Sequence, residues 1–269
     1  MAMLNVINDG HYFFFSETQP SAFRSILQQR YRVAEPFPHL VIDDFLPLEF
    51  IDSILAAFPD KSQATVSHSK AHQLHKRGYR PHTLGDNPCR HYLHLFNTPP
   101  VLQFLEEVTG INGLIPDPYF LGGGLHEIER GGKLNVHADF TLHEKLNLVR
   151  RINLLIYLNK AWQSDYGGSL ELWDAKMERC VKSIEPKFNR AVIFTTDKQS
   201  FHGHPNALNC PKEMTRRSIA LYYYVAPSMI QMGKEISSQT DWQVRPGTSD
   251  NYPSNQSSLL KRIVKKLKG

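Results

Sequence analysis

Residues 134–140 read LNVHADF, and residues 150–159 follow with RRINLLIYLN. The second run is short, bounded and rich in aliphatic residues, the pattern of a strand buried in a sheet. The same character recurs in YFLGGGLHEIE (119–129), GSLELWD (168–174), RCVKSIEP (179–186), RAVIFTT (190–196) and RRSIALYYYV (216–225). Turn-forming residues separate the runs: Gly131-Gly132, Gly167-Gly168, Pro186, Asn189, Asp197, Pro205 and Pro211. Short strands at roughly this spacing predict a β sandwich or barrel core over about 115–227.

Upstream the pattern is helical. SAFRSILQQRYR (21–32) puts Phe23, Ile26 and Leu27 on one predicted helix face. PHLVIDDFLP (38–47) reads as a strand and turn, and PLEFIDSILAAF (47–58) as a helix with Pro47 at its first position. PVLQFLEEVTG (100–110) is a further helix that stops at Gly110. Between them, residues 61–92 are polar and carry His68, His72, His75, Lys76, Arg77 and Arg80 with scattered Gly and Pro. They read as a long loop: a solvated flap, or a substrate lid with affinity for acidic groups. The expected fold is therefore mainly β with flanking helices (α+β), in one domain over 1–258. A helical support at about 20–110 precedes the core, and an irregular extension over 228–258 wraps it. Residues 259–269 form a separate basic amphipathic helix.

Composition narrows the class. Hydrophobic residues make up 41% of the 269 and charged residues 21%, as in a globular chain. There is no apolar run of about 18 residues, and residues 1–17 lack the basic flank and cleavage site of a secretory signal. The 3 cysteines are odd in number and widely spaced, so a disulfide framework is not expected and a reducing cytoplasm is the default. The net charge of +5 suggests nucleic acid, but LLKRIVKKLKG (259–269) carries five basic residues and no acid. The body is neutral, and no nucleic-acid partner is expected. The tail packs on its own domain or meets an anionic membrane or partner.

The 13 histidines carry the chemistry. On a strand His137 and Asp139 point to the same face. SFHGHP (200–205) offers a third ligand, His202 or His204. Two imidazoles and a carboxylate leave open positions on a metal and suit non-haem Fe(II). Alone, HxD is equally a surface histidine beside a turn-forming aspartate. In RRSIALYYYV, alternation groups Arg217 with Ile219, Leu221 and Tyr223, and Arg216 with the opposite face. An arginine among inward apolar residues needs an anion, which a dicarboxylate would supply.

These segments resemble the iron(II)- and 2-oxoglutarate-dependent dioxygenases, in particular the prolyl 4-hydroxylase-like branch. The carriers are PHLVIDDFLP, HADF, INLLIYLNKAW with GGSLELW, EPKFNRAVIFTTD, SFHGHP and RRSIALYYY. The resemblance implies a double-stranded β-helix (jelly-roll) core with Fe(II), 2-oxoglutarate and O2 at its open end, and ascorbate as reductant. It makes His137, Asp139 and His202 the catalytic metal ligands. It gives Arg217 and Tyr157 the distal carboxylate of 2-oxoglutarate, in a pocket lined by Asn153, Leu155 and Leu170. A carboxylate at position 139 implies hydroxylation rather than halogenation. The expected substrate is a small molecule or a prolyl or peptidyl group, with succinate and CO2 as coproducts. The alternative is a cupin-like metal-binding barrel without redox chemistry. Among the remaining residues, His126 and Glu127 face the cleft or form a structural pair. His143 lies past the strand end, on a loop. Arg150 and Arg151 open a core strand near the site.

Overall fold

The computed structural model describes residues 2–229 and 236–250. The predicted helix at 259–269 lies outside the described residues.

An N-terminal hairpin, β1 (Val6–Asn8) and β2 (Phe13–Phe15), leads into α1 (Arg24–Val33), β3 (His39–Ile42) and α2 (Leu48–Ala56). A second hairpin follows, β4 (Val66–Lys70) and β5 (Gln73–Tyr79), then α3 (Cys89–Leu95) and α4 (Pro99–Thr109). The rest is strand: β6 (Ile115–Pro116), β7 (Gly124–Ala138), β8 (Leu142–His143), β9 (Leu148–Tyr157), β10 (Leu170–Trp173), β11 (Cys180–Ile184), β12 (Ala191–Thr195), β13 (His202–His204), β14 (Arg216–Val225) and β15 (Asp241–Trp242). The main path of hydrogen-bonded neighbours is β11-β10-β13-β7-β14-β9-β12-β3, and every pairing is antiparallel. This curled sheet is the jelly-roll core expected from the sequence.

The long β7 joins the two halves of the roll. Its first part pairs with β14 (Glu127↔Arg217) and its last part with β13 (His137↔His202). The change of partner falls at Gly131-Gly132, which the sequence marked as a turn between two strands and the structure makes a bend within one. Gly131 has φ 78°, and a Cβ on Gly132 would lie 2.8 Å from the carbonyl oxygens of Glu129 and Leu74. Only glycine fits where backbones approach so closely.

The helices cover one face of the sheet. In β9, Ile152, Leu154 and Ile156 join the core built on Phe50, Ile54, Phe104 and Leu105, while Asn153, Leu155 and Tyr157 face the other way. In α2, Phe50, Ile51 and Ile54 are buried; Pro47 caps the helix one residue before its first turn. α4 ends where Gly110 takes φ 72°, as its position predicted. α1 departs from expectation. Leu27 and Tyr31 form its buried face, and Phe23 and Ile26 are exposed. The supposed loop 61–92 is also mostly ordered structure. Its β5 pairs along β7, so the hairpin becomes a wall of the roll. Short, polar strands gave little periodic signal because their apolar face is supplied by a neighbouring strand.

Candidate metal centre and cosubstrate cavity

His137 is at the end of β7, Asp139 one residue beyond it, and His202 opens β13 directly opposite His137. Their ligand atoms all lie within 4.8 Å of one another. His137 Nδ1 is 2.9 Å from the Asn135 carbonyl oxygen and His202 Nδ1 is 2.8 Å from that of Ser200. A carbonyl only accepts, so each Nδ1 carries the proton and each Nε2 turns its lone pair to the centre. Those Nε2 atoms are 3.5 Å and 3.4 Å from the Asp139 carboxylate oxygens. Burial, then the neighbouring His202, lowers the pKa of His137 and keeps it neutral. Burial works to raise the Asp139 carboxyl, but Arg150 and the two histidines outweigh it and hold it well below the usual range. Two imidazoles and one ionised carboxylate are a donor set that fits Fe(II).

Asp139 is fixed from behind. Arg150 Nη2 and Asn153 Nδ2 each donate to its Oδ2 at 2.8 Å, and Arg150 Nε donates to Asn153 Oδ1. Arg150 is 1% exposed, with its guanidinium 3.3 Å from the Tyr222 ring centroid. Asn153, expected in the cosubstrate pocket, lines the cavity but spends its amide on Asp139.

The trio borders a cavity of about 520 Å³ that Leu155 and Leu170 also line. Deeper in the roll is Tyr157, fully buried, with Arg216 beside it. Arg216 is 5% exposed, donates from Nε to the Gly168 carbonyl at 2.8 Å, and places Nη2 3.4 Å from the Tyr157 hydroxyl. No carboxylate pairs with it among the described residues, and burial lowers its pKa.

Here the expectation for Arg217 is corrected. Its side chain leaves the cavity and pairs with Glu127 at 3.1 Å, its guanidinium 4.3 Å from the Phe58 ring centroid. The apolar residues that share its face, Ile219, Leu221 and Tyr223, pack under the helices. The cavity receives Arg216, Ser218, Ala220 and Tyr222. Strand register gives the reason. Ser218 opposes Tyr157, Ala220 opposes Leu155 and Tyr222 opposes Asn153, and opposed residues share a face. The even positions therefore go with the pocket set of β9. That register exists only in the folded sheet; by alternation alone the apolar run of β14 reads equally as facing the site.

The other candidates separate cleanly. Glu127 belongs to a structural cluster, accepting from Tyr79, Thr215 and Arg217. His126 lines the cavity, its Nε2 3.1 Å from the Gly122 carbonyl. His143 sits 3.4 Å from Asp117, apart from the trio. His204 is buried in the cavity wall, and neither ring nitrogen has a hydrogen-bond partner. Trp242 was missed: its ring packs, tilted, with its centroid 4.8 Å from that of His137 and 4.2 Å from that of His72. It comes from an extension with no periodicity, placed by pairing of β15 with the His137 segment of β7.

The sequence model of the 2OG-Fe(II) oxygenase superfamily matches residues 123–224. Mouse prolyl 3-hydroxylase OGFOD1 is 36% identical over 84 residues, which is 30% of this chain and 15% of that protein. The match thus spans well under a quarter of that relative's length. Among solved structures, a Trichoplax adhaerens prolyl hydroxylase in complex with a hypoxia-inducible-factor peptide fragment superposes with a TM-score of 0.55. It is 18% identical, over 75% of this chain and 89% of that one. A Pseudomonas putida prolyl-4-hydroxylase gives 0.52 at 17% identity, over 76% and 99%. These two share the fold. Over residues 123–224, which include the strands that hold the His-Asp-His trio, this chain is similar to the 2OG-Fe(II) oxygenase superfamily.

Proposed function

We propose that the protein is an Fe(II)- and 2-oxoglutarate-dependent hydroxylase acting on a prolyl, peptidyl or small-molecule C–H bond. One observation carries the reading. A His-Asp-His trio within 4.8 Å and a buried arginine with no carboxylate partner border one cavity. His137, Asp139 and His202 would hold the iron. Arg216, with the Tyr157 hydroxyl, would take the far carboxylate of 2-oxoglutarate by charge-assisted hydrogen bonds and so fix its orientation. When bound, iron with 2-oxoglutarate supplies the oxidising chemistry: O2 and the cosubstrate are consumed, C–H becomes C–OH, and succinate and CO2 leave.

The chain's own residues set the rest. Arg150 and Asn153 hold Asp139 ionised and in one orientation. Arg150 Nη1 is buried without a partner, a donor beside the centre for a substrate oxygen. Phe194, 4.7 Å from the His202 ring, and Trp242 shield the trio from water. The test is 2-oxoglutarate decarboxylation to succinate by the Fe(II)-loaded protein, with the anaerobic charge-transfer absorption band as the binding signature. Both are expected in wild type and absent in His137→Ala. A wild-type protein with neither overturns the reading.

A further inference from the structure

The cavity is lined by five cationic side chains, Lys76, Arg80, Lys145, Arg150 and Arg216, against two carboxylates, Asp139 and Glu144. Arg150 is neutralised by Asp139, and Arg216 is the proposed seat of a cosubstrate carboxylate. Lys76 is unexplained. It is adjacent to Arg77 on β5, so the two project to opposite faces. Arg77 opposes Glu127 and finds Glu129 at 2.8 Å, outside the cavity. Lys76 opposes Ile128, a cavity residue, and enters half-buried; no carboxylate lies within ion-pair distance of it among the described residues, and the Asp139 carboxylate that favours its charge from farther off is already paired with Arg150.

The cosubstrate does not remove this surplus. Fe(II) brings two positive charges, and Arg150 and Arg216 one each. Asp139 and the 2-oxoglutarate dianion take away three. A positive charge remains before Lys76 adds its own. A partly desolvated ammonium among like charges is costly until an anion joins it. We propose that Lys76 selects the prime substrate by a carboxylate that the substrate carries near its reacting carbon. This rests on the hydroxylase reading and adds the substrate class. The hairpin that presents Lys76 pairs along β7, so the root of its side chain is held at a fixed place on the cavity wall.

The experiment is calorimetric titration of the full chain loaded with Mn(II) and 2-oxoglutarate, as wild type, Lys76→Met and Lys76→Arg. Two matched pairs of probes separate the sources of a carboxylate. One is a blocked peptide with a central proline flanked by aspartates against its asparagine counterpart. The other is N-acetyl-L-proline against its amide. Wild type is expected to favour the acid of at least one pair by about tenfold or more, as a charge-assisted contact does. Lys76→Met is expected to erase the preference and Lys76→Arg to keep it. Affinity for 2-oxoglutarate should stay within about threefold in both variants. The inference is overturned if wild type shows no preference in either pair, or if Lys76→Met retains it. It is also overturned if Lys76→Met loses 2-oxoglutarate binding, which would assign Lys76 to the cosubstrate and leave the hydroxylase reading standing. A wild type that binds no 2-oxoglutarate overturns both.

Discussion

At the scale of single residues, the arginine pair on β14 shows how one step along a strand decides function. Arg216 and Arg217 have the same side chain and sit on the same strand, yet one enters the cavity and the other an ion-pair cluster with Glu127. Replacing Arg216 with Ala should weaken 2-oxoglutarate binding about 10- to 100-fold, the effect of losing one or two charge-assisted hydrogen bonds. Replacing Arg217 with Ala should leave that affinity within about threefold, while leaving the buried Glu127 short of a partner. Its cost of about 1–3 kcal/mol should appear in urea denaturation. Titration of both variants with 2-oxoglutarate checks the assignment, and equal losses would contradict it. His137 and Asp139 were legible from the chain because HxD on a strand puts both side chains on one face, and the resemblance of SFHGHP to the family motif chose His202 over His204. The choice between adjacent arginines was not legible, because it depends on which face of the strand the helices cover.

At the scale of elements, β7 and the structures laid against it build the site. The strand must serve two halves of the roll, and it does so by bending where glycines permit backbone contact. Gly132→Ala would press a methyl group against two carbonyl oxygens and Ile128. The expected cost is about 1–3 kcal/mol, read as a lowered urea midpoint. A smaller loss would mean the bend tolerates a side chain. On the other side of the cavity, the extension lays Trp242 on His137. Binding of Ni(II) or Fe(II) at the trio should change the indole fluorescence, a response lost in Trp242→Phe and in His137→Ala. A signal unchanged by Trp242→Phe would place the reporter at Trp162 or Trp173 instead. Neither the hairpin β4-β5 nor β15 was legible as a strand from its own residues. Each is held by pairing with β7, and pairing partners far along the chain leave no local pattern.

For the molecule as a whole, the helices close the outer face of the sheet and leave the inner face polar around the cavity. That polarity gives the fold a pH dependence. His126 lies inside the wall of the roll, and burial, followed by the charge of Lys76, lowers its pKa well below the ordinary histidine value. Its neutral form is the folded form. As pH falls through about 6.5 the unfolded chain takes up a proton that the folded state refuses, so stability falls toward acid. Above that pH the contribution is constant. The metal-free protein should lose up to about 1.4 kcal/mol per pH unit for this one group between pH 6.5 and 5, and His126→Asn should flatten that part of the curve. Urea denaturation across this range measures both, and identical slopes in the two proteins would refute the assignment.

The chain by itself determined the jelly-roll class, the helices α2 and α4, and the three residues that converge as a metal centre. The helices rest on local periodicity and capping, which are properties of neighbouring residues, while the jelly roll and the choice of His202 as third ligand rest on the resemblance of whole segments to a known family. The tertiary structure decided which arginine enters the cavity, that Asn153 serves Asp139, that Lys76 projects inward, and that Trp242 covers His137. Each of these depends on strand register and on which face another element buries, and such relations between distant segments exist only once the sheet has closed.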